Sequence, residues 1–141
     1  MKNIVLLLAA FSSIISLAYG QDDGPKYYRA AVQAGPFLFV SGQNAQKGDE
    51  VLTGDIAQQT TASLDSLEAT LKANGYTLAN VVNVTVAIAK EQDFPKFNEV
   101  YQKYFSHRPA RSTALGVLHQ DKGALVEITL VAYKEATAPA K

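Results

Sequence analysis

Two residues near the C-terminal end of the chain combine acid–base side chains with an unusual setting. Residues 108–133 read RPARSTALGVLHQDKGALVEITLVAY. Glu127 interrupts the apolar run ALVEITLVAY, and Arg111 stands at the head of another strand-like stretch. Arginine offers a permanently charged planar fork that matches a carboxylate. A glutamate in a dry strand has its ionised form disfavoured by desolvation. A carboxyl tuned in that way can shuttle a proton near neutral pH. Burying it unpaired costs on the order of several kcal/mol, so the strand must gain something by carrying it. The spacing leaves two readings open: a carboxylate-binding acid–base site, or a structural Arg111–Glu127 salt bridge.

Other chemistries have less support. The chain has no Cys, which excludes a thiol nucleophile, disulfides and a lipoprotein anchor. His107 and His119 show no metal-ligand spacing and read as loop residues. Ser41, Ser106 and Ser112 lack a nucleophile elbow. The stretch SGQNAQKG is too poor in glycine to cradle a phosphate. Thirteen basic and thirteen acidic side chains give a formal net charge of zero, so binding to a nucleic-acid backbone has little electrostatic support.

The elements that must position Arg111 and Glu127 follow from periodicity. YYRAAVQA, the turn Gly35-Pro36 and FLFVSG predict a hairpin over residues 27–42. QNAQKGDEVLTG reads as a loop. From Asp55 the period becomes helical: Ile56, Thr60, Leu64, Leu67 and Leu71 share a face, and Asn74-Gly75 ends the run. In VVNVTVAIA, Val82, Val84, Val86 and Ile88 alternate and are expected on one face. The sequon Asn83-Val84-Thr85 falls inside this strand and reads as chance, because a glycan needs an exposed loop. Asp93 reads as the N-cap of a second helix with Pro95 in its first turn. The aromatic stripe Phe94, Phe97, Tyr101, Tyr104 and Phe105 reads as helix-on-sheet packing. Strands are expected around 110–118 and 124–133.

The order β-β-α-β-α-β-β predicts an α+β fold, a mostly antiparallel sheet with two helices on one face. Strand 124–133 is apolar on both sides, Val126, Ile128 and Leu130 alternating with Leu125, Val131 and Tyr133. Two helices cover only one face, so a partner subunit is expected on the other.

The first twenty residues stand apart. MKNIVLLLAAFSSIISLAYG has Lys2, an apolar stretch broken by serines, then Ala18-Tyr19-Gly20. This pattern predicts a cleaved secretory signal peptide over 1–20, too short for a membrane span. Cleavage leaves 121 residues with 12 basic and 13 acidic side chains. The expected organisation is a signal at 1–20, one domain at 21–135 and a flexible tail at 136–141. The expected location is exported, periplasmic or secreted, with no membrane association after cleavage.

Six stretches in order, AVQAGPFLFVSGQ, GDIAQQT, VVNVTV, FNEVYQKYF, PARST and GALVEI, resemble the RidA (YjgF) family of imine deaminases. They cover nearly all of the chain after residue 20, and PARS followed by GALVEI is the most specific pair. The resemblance implies a chorismate-mutase-like α+β fold, a homotrimer, and sites in clefts between subunits. It implies hydrolysis of 2-imino acids, derived from 2-aminoacrylate and similar enamines, to 2-keto acids and ammonia, with no metal and no organic cofactor. By motif, Arg111 matches the arginine that grips the substrate carboxylate and Glu127 the glutamate that activates water. Asn98 matches a site asparagine, Ser41 and Gly42 a strand end lining the site, and Tyr28 an N-terminal tyrosine. The chain departs from the family at Lys26-Tyr27-Tyr28, where Gly-Pro-Tyr is usual, and at Thr113, where many members have a reactive Cys. LHQDKGA replaces a commoner Leu-Pro turn, and Asn44-Ala45 replaces an Ile-Pro-like pair. Two rival functions are weighed: a module that binds a small carboxylic acid without turnover, and the family's older ribonuclease activity.

Overall fold

The computed structural model describes residues 28–47, 50–51, 53–117 and 123–135. The expected signal peptide at 1–20, the tail at 136–141 and His119 lie outside the described residues. Strands β1 (Ala31–Ala34) and β2 (Phe37–Gln43) form a hairpin around Gly35-Pro36. Two short strands follow, β3 (Gln46–Lys47) and β4 (Glu50–Val51), within the stretch expected to be a plain loop. Then come α1 (Ile56–Ala73), β5 (Val81–Ile88), α2 (Phe94–Tyr104), β6 (Ala110–Leu115) and β7 (Val126–Tyr133). The main sheet has the order β1-β2-β7-β5-β6. Every pairing in it is antiparallel except β5 with β6, which α2 connects. The expected α+β class, two helices and a five-stranded sheet, is what is observed.

Helix α1 starts where the sequence places it. Asp55 Oδ1 accepts from the Gln58 amide at 2.9 Å, and Gln58 Oε1 accepts from the Asp55 amide at 3.0 Å. Such a reciprocal cap satisfies two otherwise orphaned donors and contributes about 1 kcal/mol. Leu64, Leu67 and Leu71 are fully buried against the sheet. The chain reverses at Gly75, whose φ of +78° is cheap only without a Cβ. Asp93 does occupy the N-cap of α2, but its side chain makes no capping bond. A 3-10 turn at Glu91–Asp93 leads straight into the helix, leaving Asp93 already helical in φ and ψ.

The core lies between the helices and one face of the sheet. Leu38 and Val40 of β2, Val84, Val86 and Ile88 of β5, and Val126, Ile128, Leu130 and Ala132 of β7 all point into it. The alternation expected in β5 needs one correction. Its register shifts between Val81 and Asn83, so Val81 is buried and Val82 stands in solvent. This extra residue moves Val82 out of phase with Val84. On the opposite face Val32, Phe37, Phe39 and Tyr133 are each more than one-third exposed. Phe37 packs its ring 5.1 Å from Tyr133 there. The outer side of β7 carries Val131 and Tyr133 beside Glu127 and Thr129 and is open in a single chain, whereas Leu125, expected with them, precedes the strand and packs against the core.

Candidate active site

The parallel pairing of β6 with β5 places Arg111 opposite Val84, a core residue. Arg111 therefore projects toward the helices, from the outer edge of the sheet. There it meets α2. Arg111 Nη1 donates to Asn98 Oδ1 at 2.8 Å. Its guanidinium carbon lies 4.7 Å from the centre of the Tyr101 ring, 5.7 Å from Phe94 and 5.8 Å from Phe97. Aromatic faces attract a cation and hold the planar fork against one surface. Asn98 and Tyr101 can reach one side chain because they are three residues apart on a helix. The aromatic stripe expected only to pack the helix also forms the floor under Arg111. Periodicity gives no hint of this, because the same spacing serves both uses.

The guanidinium opens into a cleft of about 790 Å³ between α2 and β6, walled by Phe94, Tyr101 and Phe105. Burial raises the Tyr101 phenol above the ordinary tyrosine range, while the charge of Arg111 pulls the other way. The phenol hydroxyl is buried with no hydrogen-bond partner among the described residues. Thr113 lies two residues beyond Arg111, opposite Val86 and on the same side of the sheet.

Glu127 is elsewhere. It pairs with Ala87 of β5 and alternates with buried Val126 and Ile128, so it projects from the open face, half-buried. The expected dry core setting and the Arg111–Glu127 salt bridge are both absent from the single chain. Strands β6 and β7 are separated by β5, a spacing of roughly 10 Å, and the two side chains leave opposite faces. The sequence could not show this, because facing depends on register and not on spacing.

A second group of expected residues gathers at the end of β2, where Gly42 approaches Glu127. Pairing of β2 with β7 shifts between Val40 and Gln43, which places Ser41 and Gly42 in a bulge. Ser41 Oγ donates to the Arg29 carbonyl at 2.7 Å, tying the bulge to the segment before β1. A Cβ on Gly42 would lie 2.7 Å from Glu127 Oε1. Only glycine lets the backbone approach the carboxylate so closely. Tyr28 is nearby in the chain path: its hydroxyl accepts from Gln43 Nε2 at 3.0 Å. Gln43 Oε1 in turn accepts from Ser66 of α1 at 2.9 Å.

Gln59, not singled out in the sequence, helps set the approach to Glu127. It is 2% exposed. Its Nε2 donates to the Gly123 carbonyl at 3.0 Å and its Oε1 accepts from the Leu125 amide at 2.8 Å. One amide thereby fastens the lead-in of β7 to α1. The expected residues thus form two groups, Arg111, Asn98 and Thr113 at the β6 edge, and Tyr28, Ser41, Gly42 and Glu127 around the β2 bulge.

A family model described as endoribonuclease L-PSP matches residues 23–134. The chain belongs to the endoribonuclease L-PSP family. Within this family, it is 42% identical over 110 residues to a RutC family protein of Pyrococcus horikoshii, covering 77% of this chain and 87% of that one. It is 37% identical over 111 residues to the 2-iminobutanoate/2-iminopropanoate deaminase of Dermatophagoides farinae, covering 77% and 84%. The solved YjgF gene product of E. coli matches with a TM-score of 0.69 at 28% identity, over 80% of this chain and 91% of that chain. The L-PSP family shown here is the RidA (YjgF) family that the six stretches resemble.

Gly42→Ala tests the close approach at the bulge. The methyl group should push Glu127 aside, since the obstructing atoms belong to a side chain that can swing. The melting temperature should change little. Any activity that depends on Glu127 should fall by about tenfold or more, as misplacement by an ångström does. Circular dichroism with turnover on the same sample checks both.

Proposed function

We propose that this L-PSP family member hydrolyses 2-imino acids to 2-keto acids and ammonia, as a homotrimer with its sites between chains. The observation that supports the reading best is the pre-set guanidinium of Arg111. It is held by Asn98 and stacked on Tyr101 at the mouth of an aromatic cleft. Similarity to a relative named as an imine deaminase points the same way.

In this reading Arg111 pairs with the substrate carboxylate. Glu127 takes a proton from water as the water oxygen bonds to the imine carbon. The same proton passes to nitrogen. The carbinolamine then collapses: its hydroxyl proton passes to nitrogen, the C–N bond breaks, ammonia leaves and the carbonyl forms. Carboxylate and imine carbon are directly bonded in the substrate, whereas Arg111 and Glu127 leave opposite faces of one sheet. The site therefore combines Arg111 of one chain with Glu127 of another. Exposed Val32, Phe37, Phe39 and Tyr133 supply apolar surface for that assembly.

Hydrolysis is measured by generating an imine in place from an amino acid with an oxidase and following its decay and ammonia release. Decay should accelerate in proportion to added protein. Rates no faster than in buffer sink the hydrolase reading. Sedimentation equilibrium should give a trimer, and a folded monomer at micromolar concentration contradicts a site shared between chains.

A second reading is favoured by one feature, that the Arg111 half of the site is complete within a single chain. A module that merely binds small carboxylic acids needs no Glu127. Ligand binding without turnover would support it.

We also propose residues 1–20 as an export signal, preceding one domain at 21–135 and a tail at 136–141. N-terminal sequencing of exported protein should begin at Gln21. A mature chain that keeps Met1 and sediments with membranes overturns this.

A further inference from the structure

Arg108 is the one non-glycine residue with a positive φ among the described residues, at +55°. It is also followed by Pro109. The left-handed region is unfavourable for a side chain with a Cβ, and a following proline favours extended backbone instead. The turn that closes α2 holds it there, with the Arg108 amide donating to the Phe105 carbonyl at 3.3 Å. Glycine or asparagine is the usual occupant of such a position. Arginine at a backbone position that disfavours it asks for a use, and the side chain has one at hand. Arg108 lines the same cleft as Arg111. The described lining includes these two arginines, the polar residues Asn98, Gln102 and Ser106, and no acidic residue. One carboxylate neutralises Arg111. A second positive charge beside the same volume remains for a second anionic group.

We infer that Arg108 is a specificity-determining residue, and that the cleft takes 2-imino acids whose side chain ends in a second carboxylate. Arg111 holds the carboxylate next to the imine, and Arg108 holds the distal one. This inference rests on the proposed hydrolysis for its reaction, but on the two arginines for its ligand.

The ligand part is tested without turnover. Two five-carbon product analogues, 2-oxoglutarate and 2-oxopentanoate, differ only in a terminal carboxylate against a methyl group. Titration calorimetry of the assembled protein with each gives a ratio of affinities. The wild type should prefer 2-oxoglutarate by about tenfold or more, the scale of one charge-assisted contact. Arg108→Gly should bring that ratio close to one. Glycine relaxes the backbone at this φ, so folding is favoured rather than risked. Arg108→Lys should restore part of the preference. No preference in the wild type, a ratio unaltered by Arg108→Gly, or dissociation of the assembly in that variant overturns the inference. Imine hydrolysis followed in parallel keeps the two ideas apart. A preserved, Arg108-dependent preference with no hydrolysis sinks the reaction alone, and hydrolysis without the preference sinks Arg108 alone.

Discussion

Glu127→Gln is expected to lower kcat for imine hydrolysis by about two to four orders of magnitude while substrate binding is largely kept. Glutamine is nearly isosteric, so it can occupy the space beside Gly42 without forcing the bulge. It cannot accept a proton from water. Glu127 leaves the open face and has no ion-pair partner within 4.0 Å among the described residues. Losing its charge removes no internal salt bridge, and the melting temperature should hold or rise. If the glutamate is instead only an assembly contact, the trimer should weaken and turnover per folded trimer should survive. Measuring sedimentation, melting and kcat on one preparation separates the two outcomes. A folded, fully active Glu127→Gln trimer defeats the proposed mechanism.

Arg111→Lys is expected to cost roughly a hundredfold or more in kcat/KM, with KM and kcat both affected. Lysine keeps the charge but not the fork. The bond from Nη1 to Asn98 and the stacking over Tyr101 both use the planar guanidinium. A point charge on a flexible stem holds the substrate carboxylate without fixing its orientation, so the adjacent imine carbon drifts from the water. Stability should change little, because Arg111 is exposed at the sheet edge and its aromatic floor stays packed. Steady-state kinetics over a range of imine concentrations, beside a thermal melt, gives the split. A fall in kcat with unchanged KM would remove Arg111 from carboxylate binding. An unchanged kcat/KM would remove it from the site.

These two residues also show how far the sequence reached. Their types and neighbours marked them as candidates, because a glutamate within an apolar strand stands out, but its half-buried place on the open face was not legible. Helix α1 was legible: the Asp55 cap, the leucine spacing and Asn74-Gly75 are local signals, and local signals suffice for a helix. The hairpin turn at Gly35-Pro36 and the uncovered second side of β7 followed from the same kind of pattern. The β3–β4 hairpin was missed because each strand is two residues long, too short to show a period. Tertiary structure alone decided where the candidate side chains point. Parallel pairing of β6 with β5 turns Arg111 toward α2, and antiparallel pairing of β7 with β5 turns Glu127 away from it. The bulges at Val82 and at Ser41-Gly42 each depend on a partner strand distant in sequence. Gln59 reaches its backbone partners across more than sixty residues. Side-chain spacing reports which residues share a face of one element. Which way that face turns is set by long-range backbone hydrogen bonds, and one residue of register reverses it.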